Sequence, residues 1–127
     1  MSSCRMSNIL PDNVKLYPEA VEDFLSLDKG RQIKVIKALQ KIARAPSQYG
    51  KPLENQDGRP LAGFRSIYVD RKSLRIIWTV AESGTIEVAV VAGIAERDGL
   101  LAYRLVASRR QKFDEFLQKL LIESLRA

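Results

Sequence analysis

The chain has no histidine. Its absence removes the Ser-His-Asp and Cys-His catalytic arrangements, which need an imidazole to take the nucleophile's proton. There is a single cysteine, Cys4, so no intrachain disulfide can form and a zinc site lacks its usual ligands. A reducing cytoplasm suits such a chain. Long apolar runs are also missing. None approaches the roughly 18 residues of a membrane span, so no insertion into a membrane is expected. Met1–Leu10 holds Arg5 and only Ile9-Leu10 as an adjacent apolar pair, which is not the core of a secretion signal. No glycine-rich strand-to-helix phosphate loop is present, and no internal repeat stands out. Acidic residues are in deficit, with Asp+Glu 15 against Lys+Arg 21, a net charge of +6. That balance favours nucleic acid, an acidic membrane surface or an acidic protein partner.

What is present describes one folded domain. The 127 residues are 46% apolar and 28% charged, enough for a single core without staples. Residues 1–12 read as a mobile leader, with Met6 a possible alternative start. Val14–Tyr17 reads as a short strand. Pro18 suits a first helical position, and Glu19, Glu22 and Asp23 suit the positive end of a helix dipole. Asp28 can cap a second helix over residues 31–44. Its expected apolar stripe is Ile33, Ile36, Leu39 or Gln40, and Ile42-Ala43, reinforced by Val35 and Ala38. Lys34, Lys37, Lys41 and Arg44 lie mostly on the other side, as a solvated face or part of an RNA-binding surface. Ala45-Pro46 ends the helix. The two helices together read as a hairpin.

Ser47–Pro60 reads as a loop, followed by three strands. Gly63–Asp70 places Ile67 and Val69 on one face. Leu74–Val80 alternates Ile76, Trp78 and Val80 with Arg75, Ile77 and Thr79, and Trp78 reads as core. Glu82-Ser83-Gly84 signals a hairpin turn. Ile86–Ile94 is nearly continuously apolar, as a central strand covered on both faces would be. From Asp98 the pattern turns helical, with Leu100, Leu101, Leu105, Phe113, Phe116, Leu117, Leu120, Leu121 and Leu125 repeating at three and four. Ser108-Arg109-Arg110 either interrupts this run or is crossed by one continuous helix. The order β-α-α-β-β-β-α predicts a small α+β domain, a helical hairpin packed on a curved, mainly antiparallel sheet, with a C-terminal helix.

Basic residues punctuate the strand region at Arg65, Arg71, Lys72, Arg75 and Arg97, and Tyr103 follows six residues after Arg97. Arg75, Arg97 and Tyr103 could converge on an open sheet face. Two guanidiniums there would hold a phosphate by forked hydrogen bonds and neutralise a pentacoordinate transition state. Tyr103 would stack on a base or take the proton from a 2′-hydroxyl. Nearby cations would lower its pKa from about 10. The alternatives are plain ones. Arg75 could pair with Asp70 or Glu87, Arg97 with its flanking acids, and Tyr103 could simply pack. Arg65, Arg71 and Lys72 could contact phosphates or serve solubility. Asp70, Glu82, Glu87 and Glu96 do not have the spacing of a two-metal nuclease set.

From Val14 to Tyr103 the chain resembles the RelE/ParE superfamily of type II toxin–antitoxin toxins. The resemblance lies in Leu39–Pro46, in Gly50-Lys51-Pro52-Leu53, in Leu74–Trp78, and in Gly93–Asp98 with Tyr103. It implies a microbial-ribonuclease-like α+β fold over residues 13–107. It also implies a cytoplasmic toxin held inactive by a cognate antitoxin, acting without metal or other cofactor. RelE-like members cleave mRNA on the ribosome, and ParE-like members poison DNA gyrase. The RelE pattern maps onto Arg75 as transition-state stabiliser, Arg97 as helper of the leaving 5′-oxygen, and Tyr103 as general base or stacking residue. Arg65, Arg71, Lys72 and Lys51 are then the expected RNA contacts. The chain departs from the pattern where two lysines, two apart, precede the strand arginine: Ser66 and Tyr68 stand there. Residues 108–127 form an amphipathic extension beyond the family's usual length, able to close the core, contact the antitoxin or make a dimer.

Overall fold

The computed structural model describes residues 10–53, 63–83, 86–96 and 101–126, with the side chains of 83, 101–105 and 123–126 outside the description. The elements in order are β1 (Val14–Leu16), α1 (Pro18–Leu25), α2 (Lys29–Arg44), β2 (Lys51–Pro52), β3 (Phe64–Val69), β4 (Leu74–Ser83), β5 (Ile86–Glu96) and α3 (Leu101–Arg126). Among the described residues, three helices and one five-stranded sheet make an α+β architecture. The strand order is β1-β5-β4-β3-β2. β1 runs parallel to β5, and every other pair is antiparallel.

Local sequence explains most of these boundaries. Pro18 opens α1, where its missing N–H costs nothing. Asp28 caps α2, its side chain accepting from the Arg31 N–H at 2.9 Å. The buried face of α2 is Val35, Leu39 and Ile42. Ile33, expected in that stripe, is 53% exposed. It lies two residues before Val35, about 200° around the helix, and so points away from the sheet. β2 lies inside the segment read as a loop. It is two residues long and is positioned by Gly50. The φ of Gly50 is +72°, and a Cβ there would fall 2.6 Å from the Ser66 carbonyl oxygen and 2.7 Å from the Trp78 ring. Only glycine brings β2 this close to β3.

Directly opposed residues share a sheet face. On one face, Arg65 opposes Trp78, Ile67 opposes Ile76, and Val69 opposes Leu74. This face lies under α2: Trp78 is fully buried and donates its Nε1–H to the Pro46 carbonyl just beyond that helix, at 3.2 Å. The other face carries Phe64, Ser66, Tyr68, Arg75, Ile77 and Thr79. There Phe64 packs against Phe113 of α3, with ring centroids 5.5 Å apart. Helix α3 runs unbroken through Ser108-Arg109-Arg110. Its Val106 and Phe113 are buried, and Phe116, Leu117 and Leu120 pack against the core.

The register between β4 and β5 shifts by one residue between Ile77 and Trp78, which oppose Gly93 and Val91. Ala92 is therefore the extra residue of a β-bulge. Its carbonyl turns out of the ladder and accepts from Arg109 Nη1 at 3.0 Å. Beyond Val91, β5 has no β1 partner. The Ile94 N–H that would be left bare donates instead to Asp23 Oδ2 of α1, at 3.1 Å.

Candidate functional site

A cavity of about 790 Å³ opens at the β2–β3–β4 end of the sheet, lined by Tyr49–Leu53, Ser66–Tyr68, Lys72 and Arg75. Three of the residues expected to contact RNA or its reacting phosphate, Lys51, Lys72 and Arg75, are brought together here. Arg71 stands beside Lys72 on the β3–β4 turn and is exposed.

Register explains why Arg75 and Tyr68 meet. Val69 opposes Leu74 across a four-residue turn, so Tyr68 opposes Arg75 on the Phe64 face. The Arg75 guanidinium carbon lies 4.2 Å from the centre of the Tyr68 ring, a cation–π contact. Arg75 is 8% exposed and Tyr68 42% exposed, so the arginine is the inner member of the stack and the ring the outer one. Neither Asp70 nor Glu87 is its cross-strand neighbour on this face. Tyr68 entered the sequence reading only as a replaced lysine. Counting back from the turn would have paired it with Arg75.

The turn itself is unusual. Asp70, Arg71 and Lys72 all adopt positive φ, at 55°, 55° and 69°. Left-handed backbone costs an L-residue of order 1–2 kcal/mol, so three in succession need support. The support comes from Asp70, which ties the turn to α2. Its carboxylate accepts from Lys34 Nζ, from Ser73 Oγ at 2.9 Å and from Arg31 Nε at 3.1 Å. Lys34 first, then Ser73 and Arg31, hold this carboxyl down at about 2, against an ordinary value of 3.8. Arg31 also reaches Glu96 Oε1 at 3.0 Å, joining the turn to the end of β5. Those contacts, the Glu96 bond foremost, reinforce the Arg31 charge.

Arg65 is placed differently from its neighbours. Its Nε donates to the Tyr49 carbonyl at 2.7 Å and its Nη2 to the Gly50 carbonyl at 3.1 Å, which fastens the corner leading into β2. It lies on the Trp78 face, across the sheet from Tyr68 and Arg75. Arg97 lies outside the described residues. Tyr103 belongs to α3, and its side chain also lies outside them.

A second cavity, of about 480 Å³, lies on the same face near the end of α3 and is lined by Ala81, Ile86, Val88, Val90, Leu120 and Leu121. Its wall is mostly aliphatic, with Asp12, Lys15 and Glu82 also lining it, and it gathers no set of groups able to move a proton or hold a phosphate. The basic cavity around Arg75 is the better candidate. Among the described residues, no cluster of three or more Cys, Asp or Glu side chains could hold a metal ion, and no helix is long and apolar enough to cross a membrane.

No family model and no curated protein sequence matches the chain. Solved structures do resemble it. The RelBE2 toxin–antitoxin complex from Mycobacterium tuberculosis contains a chain matched at 24% identity and a TM-score of 0.54, over 69% of this chain and 100% of that one. A double-arginine mutant of E. coli toxin RelE in the free state matches at 16% identity and a TM-score of 0.59, over 76% and 94%. The YoeB/ParE toxin from Agrobacterium tumefaciens matches at 16% and 0.55, over 68% and 99%. At these identities the likeness is one of backbone architecture. The chain shares its fold with these toxins.

Proposed function

We propose that this chain is the toxin of a type II toxin–antitoxin system, a metal-independent, ribosome-dependent mRNA endoribonuclease that a cognate protein antitoxin neutralises in the cytoplasm. The observation that carries the reading is the basic cavity on the sheet, where Lys51, Lys72 and Arg75 meet in a RelE-like fold. The antitoxin is inferred from the likeness to a chain of a toxin–antitoxin complex. An acidic segment covering the basic face would suit the net charge of +6.

The chemistry needs no imidazole. Tyr103, as phenolate, takes the proton of the 2′-hydroxyl. The 2′-oxygen attacks its own phosphorus, the bond to the 5′-oxygen breaks, and a 2′,3′-cyclic phosphate remains. Arg75 offsets charge on the equatorial oxygens, and Arg97 assists the departing 5′-oxygen. Lys51, Arg71 and Lys72 hold flanking phosphates, and Arg65 fixes the corner that carries Lys51. General acid–base assistance of this type contributes roughly 10² to 10⁴ in rate.

Induced expression of the chain alone is expected to stop translation, with primer extension showing mRNA cuts in frame with codons. Tyr103→Phe and Arg97→Ala are expected to lower cleavage by about 10² to 10⁴ and relieve toxicity, with circular dichroism unchanged. Full toxicity in both variants would rule out this mechanism. The likeness to a YoeB/ParE toxin, together with Ser66 and Tyr68 where RelE-like enzymes carry lysines, supports a second reading as a gyrase inhibitor. Cleaved gyrase–DNA complexes with intact mRNA would select it.

A further inference from the structure

Along β3 the residues Phe64, Ser66 and Tyr68 point to one face, yet their surroundings differ. Phe64 is buried beneath α3, where Phe113 and the Arg110 guanidinium cover it. Tyr68, four residues on, is 42% exposed and borders the basic cavity. A ring half open to water is ordinary by itself. This one sits over a buried guanidinium at 4.2 Å, with the exposed Lys51 and Lys72 lining the same cavity.

Each of these features serves one kind of ligand. Every base has a π-face, and aromatic side chains in a basic groove bind single strands by stacking. Cross-strand contact with Arg75 orders the Tyr68 ring before binding, so little rotamer freedom is lost when a base lands on it. The lysines supply the positive field that a phosphate backbone requires. The geometry points to Tyr68 as a stacking platform for one unpaired base of single-stranded RNA, with Arg75 as the inner support of the ring. Tyr68 thus supplies by stacking part of the grip that a lysine at this place would supply by charge. This inference rests on the RNA reading above and assigns to it a residue for base contact.

The test uses the full chain and a short single-stranded oligoribonucleotide carrying 2-aminopurine, whose fluorescence is quenched by stacking. Affinity is read in parallel by anisotropy, and folding by thermal melting. Wild type and Tyr68→Phe are expected to bind with equal quenching. Tyr68→Ala is expected to bind about tenfold more weakly or worse, since one stacked base is lost. Tyr68→Lys separates the two contributions: affinity is held by the new phosphate contact while the quenching disappears. A loss of fold would abolish binding in both variants, so retained binding by Tyr68→Lys excludes it. Undiminished quenching in Tyr68→Lys would overturn the platform while leaving RNA binding intact. Absence of both binding and quenching in the wild type would overturn the RNA reading and the platform together, and would leave this surface to a protein partner.

Discussion

Asp70 is the first of three consecutive left-handed residues, and it carries the ion pairs that hold them. Lys34 and Arg31 from α2 and Ser73 from within the turn all converge on its carboxylate. Because the folded pKa is depressed to about 2 from an ordinary 3.8, the carboxylate form is favoured in the folded state. The sign follows from linkage. Asp70 contributes stability that is complete above pH 4 and is lost as pH falls from about 4 towards about 2. Denaturant unfolding of wild type and Asp70→Asn across pH 5 to 2 checks this. The variant is expected to be the less stable at pH 5, and the gap is expected to close towards pH 2. A gap that stays constant with pH would mean that the carboxylate's charge plays no part. The same residue marks a limit of reading from sequence. Asp70 was legible as the end of a strand. Its partners on α2 lie 36 and 39 residues earlier and are visible only once β3 and α2 are packed.

At the scale of elements, local signals carried well and distant ones did not. Pro18, Asp28 and Ala45-Pro46 marked helix ends through their own backbone chemistry, and the alternating apolar residues of β3, β4 and β5 marked the sheet. β2 was missed because two residues hold no period, and its place depends on how closely Gly50 approaches Ser66 and Trp78. The course of α3 through Ser108-Arg109-Arg110 was left open because an arginine in mid-helix looks like an exposed one. Here Arg109 is 8% exposed. It lies above Gly93, where a Cβ would come within 3.2 Å of its Nη1. The guanidinium makes a two-pronged pair with Asp23, at 2.8 and 3.0 Å, and donates to the Ala92 carbonyl at the bulge. Its Nε stands 2.8 Å from Glu19 Oε2 but off the N–H direction, so that contact is an ion pair without a hydrogen bond. Burial disfavours the Arg109 charge, and Asp23 and then Glu19 more than compensate, so its pKa is raised. The pair thereby locks α3 to α1 and β5. Arg109→Ala strands the Asp23 carboxylate and is expected to cost about 3–5 kcal/mol, a large share of a domain's total stability. Urea melts of Arg109→Ala, Asp23→Ala and the double variant check it. The double variant is expected to lose much less than the two single losses combined. Simple additivity would show that the two residues act independently.

For the whole molecule, the question is whether the charge of +6 is spread or aimed. Two basic surfaces lie on opposite sides of the sheet. One is the outward side of α2, with Lys34, Lys37, Lys41 and Arg44 all exposed. The other is the cavity side, with Lys51, Lys72 and Arg75. Lys34 is already engaged by Asp70. The sequence showed both sets and could not separate them, because which face each strand residue occupies is fixed by register and by the turn at 70–73. If RNA is held at the cavity, only the second set releases counterions. Binding of single-stranded RNA weakens with salt by a log–log slope of about −0.7 for each phosphate neutralised. Lys72→Ala is therefore expected to make the slope shallower by about 0.7 and to weaken binding to all sequences alike. Lys37→Ala, on the far side, is expected to leave the slope unchanged. Anisotropy titrations over 50 to 300 mM salt measure both variants. Equal changes in the two would mean that the excess charge attracts polyanions over the entire surface. A change confined to Lys72 would place the strand where Arg75 and the Tyr68 ring can reach it, and the sheet would then act as a directed receptor.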